Sequence, residues 1–533
     1  MNTHKFNLLF LATLGALCSQ PALSAMNSYK HANGSTVVNI NQPDANGLSH
    51  NMYQTFNVSN KGMVLNNSTT DMVRDSGNIA RNSNLNTSAS LILNEVISKN
   101  ASSLNGFIEV AGQKADVIIA NPNGITCSGC NFINTGRATL TTGTPILTDG
   151  VLTGFNVAKG TLTVNDKGLK GADYTDLLAQ KITLNGKVET TQLKAIAGKY
   201  TYNRASGQAT ATTTARARGN GIDVSALGGA TAGLIQLQTT EAGAGVNNNG
   251  VLNASSLYLS SNGTLTNSGT LEAGVMSIAA SGNITNKGTL SASQAALQTT
   301  NAFTNEGSFK TTNYASIVSY GKVTNSEKGE IRGDGTVSIF SLAGDIENKG
   351  SIATPKTLTM QTGYSTVNGV ITPVANTSLI NSGSIQADSI GLYAVKEVSL
   401  LSGDITAQST AYVSAASVSN AGTLTAQNAS VISNAFSNQG VMQTTGLLSV
   451  SGKNSIANRG TLKAGTLTLA TDGKISNSYC RLWLMCTQGT MKADKITIAA
   501  PKIAAIGDLD GNYTTQILEL NKTEADPVSD TSL

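Results

Sequence analysis

Covalent, metal or acid–base chemistry in this chain would have to come from five cysteines, three histidines and scattered carboxylates. Beyond Cys18 the thiols fall into two close pairs, Cys127 with Cys130 and Cys480 with Cys486. Such pairs suit a redox couple, half of a zinc site, or local disulfides. A redox pair usually precedes a helix in a βαβ unit, and no such pattern is visible here. Zinc wants four ligands, and only His31 and His50 are spare imidazoles. Two disulfides between near neighbours are therefore expected, the simplest of three connectivities in an oxidising compartment. Asp508 and Asp510 read as a solvated turn, and no Gly-rich phosphate loop follows a strand to open a helix. The expectation is a protein that is not an enzyme and needs no cofactor and no metal.

Two segments could instead make contacts. Arg332-Gly333-Asp334 is a tripeptide of the integrin-binding kind in an expected turn, although chance explains it well in a Gly-rich chain. The ten residues from Tyr479 to Gln488 interrupt an otherwise regular pattern and carry Trp483, the one tryptophan. They read as a loop closed by Cys480 and Cys486 with an apolar tip, either folded back on its neighbours or offered to a receptor or membrane.

The elements that would hold these residues follow from composition and period. Met1 to Ala25 has Lys5, the apolar run Phe6 to Cys18, and a small-residue cleavage site ending at Ala25, which reads as a removable export leader. The whole chain of 533 residues is 12% charged, 5% aromatic and 40% apolar, with a net charge of +4 and no basic block, so no nucleic-acid partner is expected. From Asn248 an Asn-x-Gly unit followed by a β-former recurs at 267, 286 and 305, and again at 420, 438, 458 and 477. A step of about 19 residues suits a coil of three short strands whose apolar faces are buried only by stacking. Asparagines at equal places in successive coils can bond along the axis, and Asn and Gly tolerate the left-handed backbone of tight corners. Between 305 and 420 the step stretches, with an insertion expected near Gly363 to Asn376. The predicted fold is all-β, a right-handed parallel β-helix with an N-terminal cap; about a dozen coils at roughly 4.8 Å give a repeat rod of ~60 Å.

Residues 26–245 lack the clean step but remain strand-rich. Gly47-Leu-Ser-His-Asn51, Phe56-Asn-Val58 and Val64-Leu-Asn-Asn-Ser68 resemble the opening of the secretion domain of two-partner exoproteins. Asn82-Ser83-Asn84-Leu85, then Leu91 to Val96, is similar to that family's first Asn-rich motif, with Ser83 where its adhesin branch usually has proline. Asn121-Pro122-Asn123-Gly124-Ile125 matches the second motif, and Cys127-Ser-Gly-Cys130 follows as in haemolysin-like members. Phe132 to Thr135 and Thr139 to Pro145 continue the match.

The resemblance implies export through the Sec route and the periplasm to the medium or cell surface. The partner would be an outer-membrane β-barrel transporter that recognises the N-terminal domain, and the chain would fold outside coil upon coil. Asn121 to Ile125 is chiefly a turn shaping that domain, or else touches the barrel directly. The expected organisation is a signal peptide at 1–25, the secretion domain at 26–245, repeats at 246–510 and a polar tail at 511–533. An adhesin-like role with an unnamed surface receptor ranks first. A haemolysin, or a shortened contact-dependent toxin-delivery protein, comes second, although the tail after the repeats leaves no room for a toxin domain. A polysaccharide-degrading β-helix ranks last, since no convergent acids with Lys or Arg can be identified on one face.

Overall fold

The alternation in Val251–Ser261 sets the pattern for the rod. Leu252, Ala254, Leu257 and Leu259 point inward while Val251, Asn253 and Tyr258 face solvent, as a period of two requires. A computed structural model describes residues 27–73, 77–367, 370–481, 485–503 and 508–516. The leader at 1–25, Trp483 and most of the polar tail lie outside the described residues.

The chain winds as a right-handed parallel β-helix. Val251–Ser261 pairs in parallel with Thr270–Ala280, which pairs with Thr289–Thr299, which pairs with Ser308–Ser319. The register offset between the first two pairs is the sequence step itself: Leu252 lies beside Leu271, and Leu271 beside Leu290. These residues and their equivalents in other rungs form one interior cluster running from Val38 to Ala500. Bulk is balanced within it: the two rungs that bring in Phe303 and Phe309 have stacked alanines at 295 and 315, where the rungs on either side have Met276 and Val337.

Two details differ from the sequence expectation. From Val251 to Thr299 each repeat has one strand of 11 residues bent over two faces and one of three residues, such as Leu265–Asn267, in place of three short strands, which appear farther on as Val323–Asn325, Glu330–Gly333 and Thr336–Ser341. In Val251–Ser261 the Leu252 and Leu257 faces meet at Ser255, which the register skips, and the next rung has Gly274 at that place. The glycine of Asn-x-Gly is also needed for a different reason than a left-handed backbone. Among the described residues the glycines with φ > 0 in the regular repeats do not include Gly269 or Gly288. A Cβ on Gly269 would instead stand 2.1 Å from the carbonyl oxygen of Gly250, and one on Gly288 2.0 Å from that of Gly269. Close approach between stacked corners excludes a side chain.

The insertions leave the winding intact. Tyr364–Val367 and Val370–Pro373 form an antiparallel hairpin at one corner. Ser478–Arg481 and Met485–Gln488 form another, with Cys480 and Cys486 opposite each other in the register. That second hairpin sits between Asn477 and Gly489, whose N–H donates to the Asn477 carbonyl oxygen at 2.6 Å, so Gly489 takes the place of the usual corner glycine.

At the N-terminal end Ser28–Lys30 runs antiparallel to Thr36–Asn39 and covers the free edge of the first rung. A four-stranded antiparallel sheet, Thr144–Thr148, Val151–Val157, Tyr200–Asn203 and Ala209–Ala211, lies on the flank of this part of the rod. Phe155, Val157, Tyr200 and Tyr202 pack there on the outward side chains Leu91, Leu93, Ile118, Leu178 and Ile196. Buried apolar residues on both faces explain why these N-terminal rungs read as continuous apolar runs, not alternation.

Candidate functional site

Asparagine is a poor strand residue because its side chain competes for backbone hydrogen bonds. Six of them nevertheless sit fully buried in the N-terminal third: Asn51, Asn66, Asn67, Asn82, Asn94 and Asn121. A buried amide must find partners for two donors and an acceptor. Asn67 does so by spanning three segments. Its Nδ2 donates to the carbonyls of Ala89 (2.9 Å) and Gln113 (3.0 Å), and its Oδ1 accepts from the Ala89 N–H at 2.7 Å. Asn66 Nδ2 donates to Asn39 Oδ1 at 2.8 Å and to the Ala80 carbonyl at 2.9 Å.

The two Asn-rich motifs turn out to be the same device. Asn82 Oδ1 accepts from the Asn84 N–H at 2.9 Å, and the Leu85 N–H donates to the Asn82 carbonyl at 3.1 Å. Asn121 Oδ1 accepts from the Asn123 N–H at 3.0 Å, and the Gly124 N–H donates to the Asn121 carbonyl at 3.1 Å. Each is an Asx turn superimposed on a β-turn. In each the first amide also ties the turn to other coils. Asn82 Nδ2 donates to the carbonyls of Ile40 and Asn66, at 2.9 and 2.8 Å. Asn121 Nδ2 donates to the Asn100 carbonyl and to Ser102 Oγ, both at 2.9 Å. Ser83 and Asn84 are exposed, Leu85 is buried in the core, Pro122 and Asn123 are half-buried, and Ile125 opens the next strand. Gly124 has φ +115°, a conformation for which glycine is suited.

Directly after the second motif, Cys127 and Cys130 are joined by a disulfide across the turn Ser128-Gly129. Both are buried within the main core cluster, so the bond clips a corner from inside the rod. The side chains of Cys480 and Cys486 lie outside the described residues. Among the described residues no group of three or more His, Cys, Asp or Glu is placed to hold a metal.

Arg332-Gly333-Asp334 departs from the expected turn. Arg332 and Gly333 end the strand Glu330–Gly333, with Arg332 registered between Lys310 and Ala353, and only Asp334 enters the corner. Strand pairing holds Arg332 on both sides and Gly333 on one, and the Asp334 N–H donates to the Thr311 carbonyl oxygen, so the tripeptide does not project as a loop.

Sequence reasoning missed a charged cluster under the rim of the flanking sheet. Asp176 is buried in the otherwise apolar strand Tyr174–Ala179. Burial holds its carboxyl above the ordinary range, opposed by Arg137 at 3.7 Å and by the Thr139 hydroxyl at 3.1 Å. Burial, then the nearby Asp176, pushes the Tyr202 phenol up to about 12. Arg204 lies 3.9 Å from Asp116, and Arg137 lies over the Tyr174 ring at 5.2 Å. The available signals were a carboxylate inside an apolar run and, for the sheet, two tyrosines close together, Tyr200 and Tyr202, in an aromatic-poor chain.

Comparison with known proteins places this geometry. Residues 19–273 match the family model of the TPS secretion domain, and residues 243–388 that of the BigA fourth domain. Over 232 residues the chain is 44% identical to a Yersinia pestis protein named toxin CdiA, a match covering 42% of this chain and 7% of that protein. Over 251 residues it is 41% identical to a tRNA nuclease CdiA of Yersinia mollaretii, covering 44% and 8%. Over 188 residues it is 42% identical to a haemolysin of Proteus mirabilis, covering 34% and 12%. The chain thus spans a small fraction of the length of these relatives. A crystal structure of a filamentous haemagglutinin secretion domain is 34% identical, covers 51% of this chain and 95% of that one, and superposes with a TM-score of 0.45.

Proposed function

This chain is an exoprotein of the two-partner secretion family, exported to the cell surface or the medium, and we propose that outside the cell it acts as an adhesin and not as an enzyme. An outer-membrane β-barrel partner carries it there, recognising residues 26–245, while 246–510 supply the extended surface. One observation carries the adhesin reading. From Val251 onward the outward side chains of successive rungs stand in register along one axis, and repeat rods use such long surfaces for binding. The Asn82 and Asn121 turns serve export by shaping the domain the transporter meets, since their amides are spent on other coils. Rung-to-rung contacts about 20 residues apart also suit a chain that emerges unfolded and folds outside, where each finished rung hinders backsliding.

A second reading is favoured by the relatives named toxin CdiA and haemolysin: a cytolysin or a toxin-delivery protein. The experiment that separates the readings uses the secreted chain in three assays, namely adherence to epithelial and bacterial cells, erythrocyte lysis, and cleavage of polysaccharides. Saturable adherence without lysis or cleavage is expected. Lysis would replace the adhesin reading with the second, and polysaccharide cleavage would overturn the non-enzymatic one.

A further inference from the structure

The flanking sheet covers the rod only as far as Ile196, and beyond it the same flank is bare. At this ledge the register stacks two outward ranks. Lys194, Gln236, Tyr258 and Ser277 occupy equal positions in four successive rungs, and beside them stand Ile196, Gln238, Ser260 and Ala279. The loop joining the last two strands of the sheet, at Ser206-Gly207, forms a wall, and the recess holds about 480 Å³, within the usual range for small-ligand sites. Tyr258 is 45% exposed in its floor. Lys194 donates only to the Gly207 carbonyl oxygen, at 3.5 Å. Asp176, beside Lys194 in the register, is buried and feels the Lys194 charge, but its nearer cation is Arg137 at 3.7 Å; Asp116 lies by Arg204, and no described carboxylate is within ion-pair distance of the Lys194 ammonium.

We propose that this ledge binds a linear acidic glycan lying along the rod axis, with one sugar ring on Tyr258 and the carboxylate of an adjoining hexuronic acid at Lys194. The spacing suits this ligand: Tyr258 and Lys194 are two strand spacings apart, about 10 Å, the length of a disaccharide. The C–H-lined face of a pyranose stacks on a phenol face in a way an inorganic anion cannot. The Gln236 and Gln238 amides between the two anchors offer donor and acceptor together, as vicinal hydroxyls require. Ser260 and Ser277 continue the polar floor. The proposal deepens the adhesin reading and rests on it only for where the glycan is met, because binding itself can be measured on the soluble chain.

The test is saturation-transfer NMR and calorimetry on the full secreted chain with hyaluronan tetrasaccharide, tetragalacturonate and the neutral chitotetraose. An acidic tetramer is expected to bind, and the tighter of the two identifies an animal or a plant source. Tyr258→Ala should weaken binding at least about tenfold. Lys194→Gln should abolish the preference for acidic over neutral sugar. Tyr314→Ala, exposed on the same rod away from the recess, should change nothing. Circular dichroism of all three variants checks that the rod is intact. Equal binding of chitotetraose, no binding of any tetramer, or binding indifferent to both ledge substitutions would overturn the proposal. If glycans fail while the chain still adheres to cells, the ledge is wrong and the adhesin reading survives.

Discussion

In the N-terminal third each buried asparagine has its own set of partners, whereas in the repeats the asparagines bond chiefly to one another. From Asn248 the Nδ2 of each donates to the Oδ1 of the next, through 267, 286, 305, 325 and 348 to Asn381, at 2.7 to 2.9 Å. A second run joins 420, 438, 458 and 477 at 2.6 to 2.7 Å. Every bond points the same way, so each run must begin with an unused acceptor and end with a donor that finds something else. The two beginnings, Asn248 Oδ1 and Asn420 Oδ1, are indeed buried and unpartnered, and the two ends, Asn381 and Asn477, donate to the carbonyls of Gly383 and Gly489. The N-terminal network is made of single-use parts, while the ladder is redundant. A transporter-recognised shape calls for the first, and a rod of adjustable length for the second.

Among asparagine removals, the largest expected effect comes from a single-use amide. Asn67→Ala strands the carbonyls of Ala89 and Gln113 and the Ala89 N–H, and should cost about 3 kcal/mol or more. Hydrogen exchange should show lost protection across Met63–Asn67 and Ile108–Gly112, and secretion should fall. If the change costs less than about 1 kcal/mol, water replaces these bonds and the N-terminal network is no more specialised than the ladder.

An interior ladder position should cost less. Asn286→Ala leaves Asn305 Oδ1 without a donor, the condition Asn420 already has beside Leu400. Asn267 Nδ2 keeps the Thr289 and Gly269 carbonyls. About 1–2 kcal/mol is expected, confined to adjacent rungs because repeat stability is a sum of nearest-neighbour terms. Exchange measured rung by rung checks both the size and the confinement; loss of protection along the whole rod would contradict the additive picture.

The ladder and the corners differed in how far they could be read beforehand. Asn267, Asn286 and Asn305 announced themselves through equal spacing, because identical rungs impose identical residues. The Asn66 and Asn67 network could not be read so, since each bond joins segments 14 to 46 residues apart with no recurrence. The corner glycines were found for the wrong reason. A sequence shows that glycine recurs, but whether φ or a facing carbonyl demands it depends on the distance between rungs. The flanking sheet was missed because its strands are antiparallel insertions in a parallel winding, and only the closely spaced Tyr200 and Tyr202 mark it. Arg332 to Asp334 misled in the opposite sense: a Gly-containing tripeptide suggests a turn, and strand pairing of Arg332 and Gly333 overrode it.

A smaller effect tests whether the two Asn-rich turns are interchangeable. Ser83 is exposed and stands where Pro122 stands in a turn with the same hydrogen bonds. Ser83→Pro should therefore stabilise the domain by about 0.5 kcal/mol through a less flexible unfolded chain, seen as a rise in the denaturation midpoint. Destabilisation would show that the backbones of the two turns differ at this residue.

The smallest expected effect is the most discriminating. Leu400 sits in register between Asn381 and Asn420, at the one rung that separates the two ladder runs. Replacing a buried leucine with asparagine normally loses about 2 kcal/mol of apolar burial and adds the cost of an unpaired amide. At this rung the amide would meet partners already in place. Its Oδ1 would accept from Asn381 Nδ2, and its Nδ2 would donate to the orphaned Asn420 Oδ1, joining both runs into one. The gains offset the lost burial, so Leu400→Asn should lie within about 1 kcal/mol of the parent. Leu379→Asn, equally buried in the rung before but facing only Ile346 and Val398, should lose about 4 kcal/mol or more. Chemical denaturation of the two variants in parallel decides the matter: similar losses would mean that the ladder tolerates its asparagines without being held together by them.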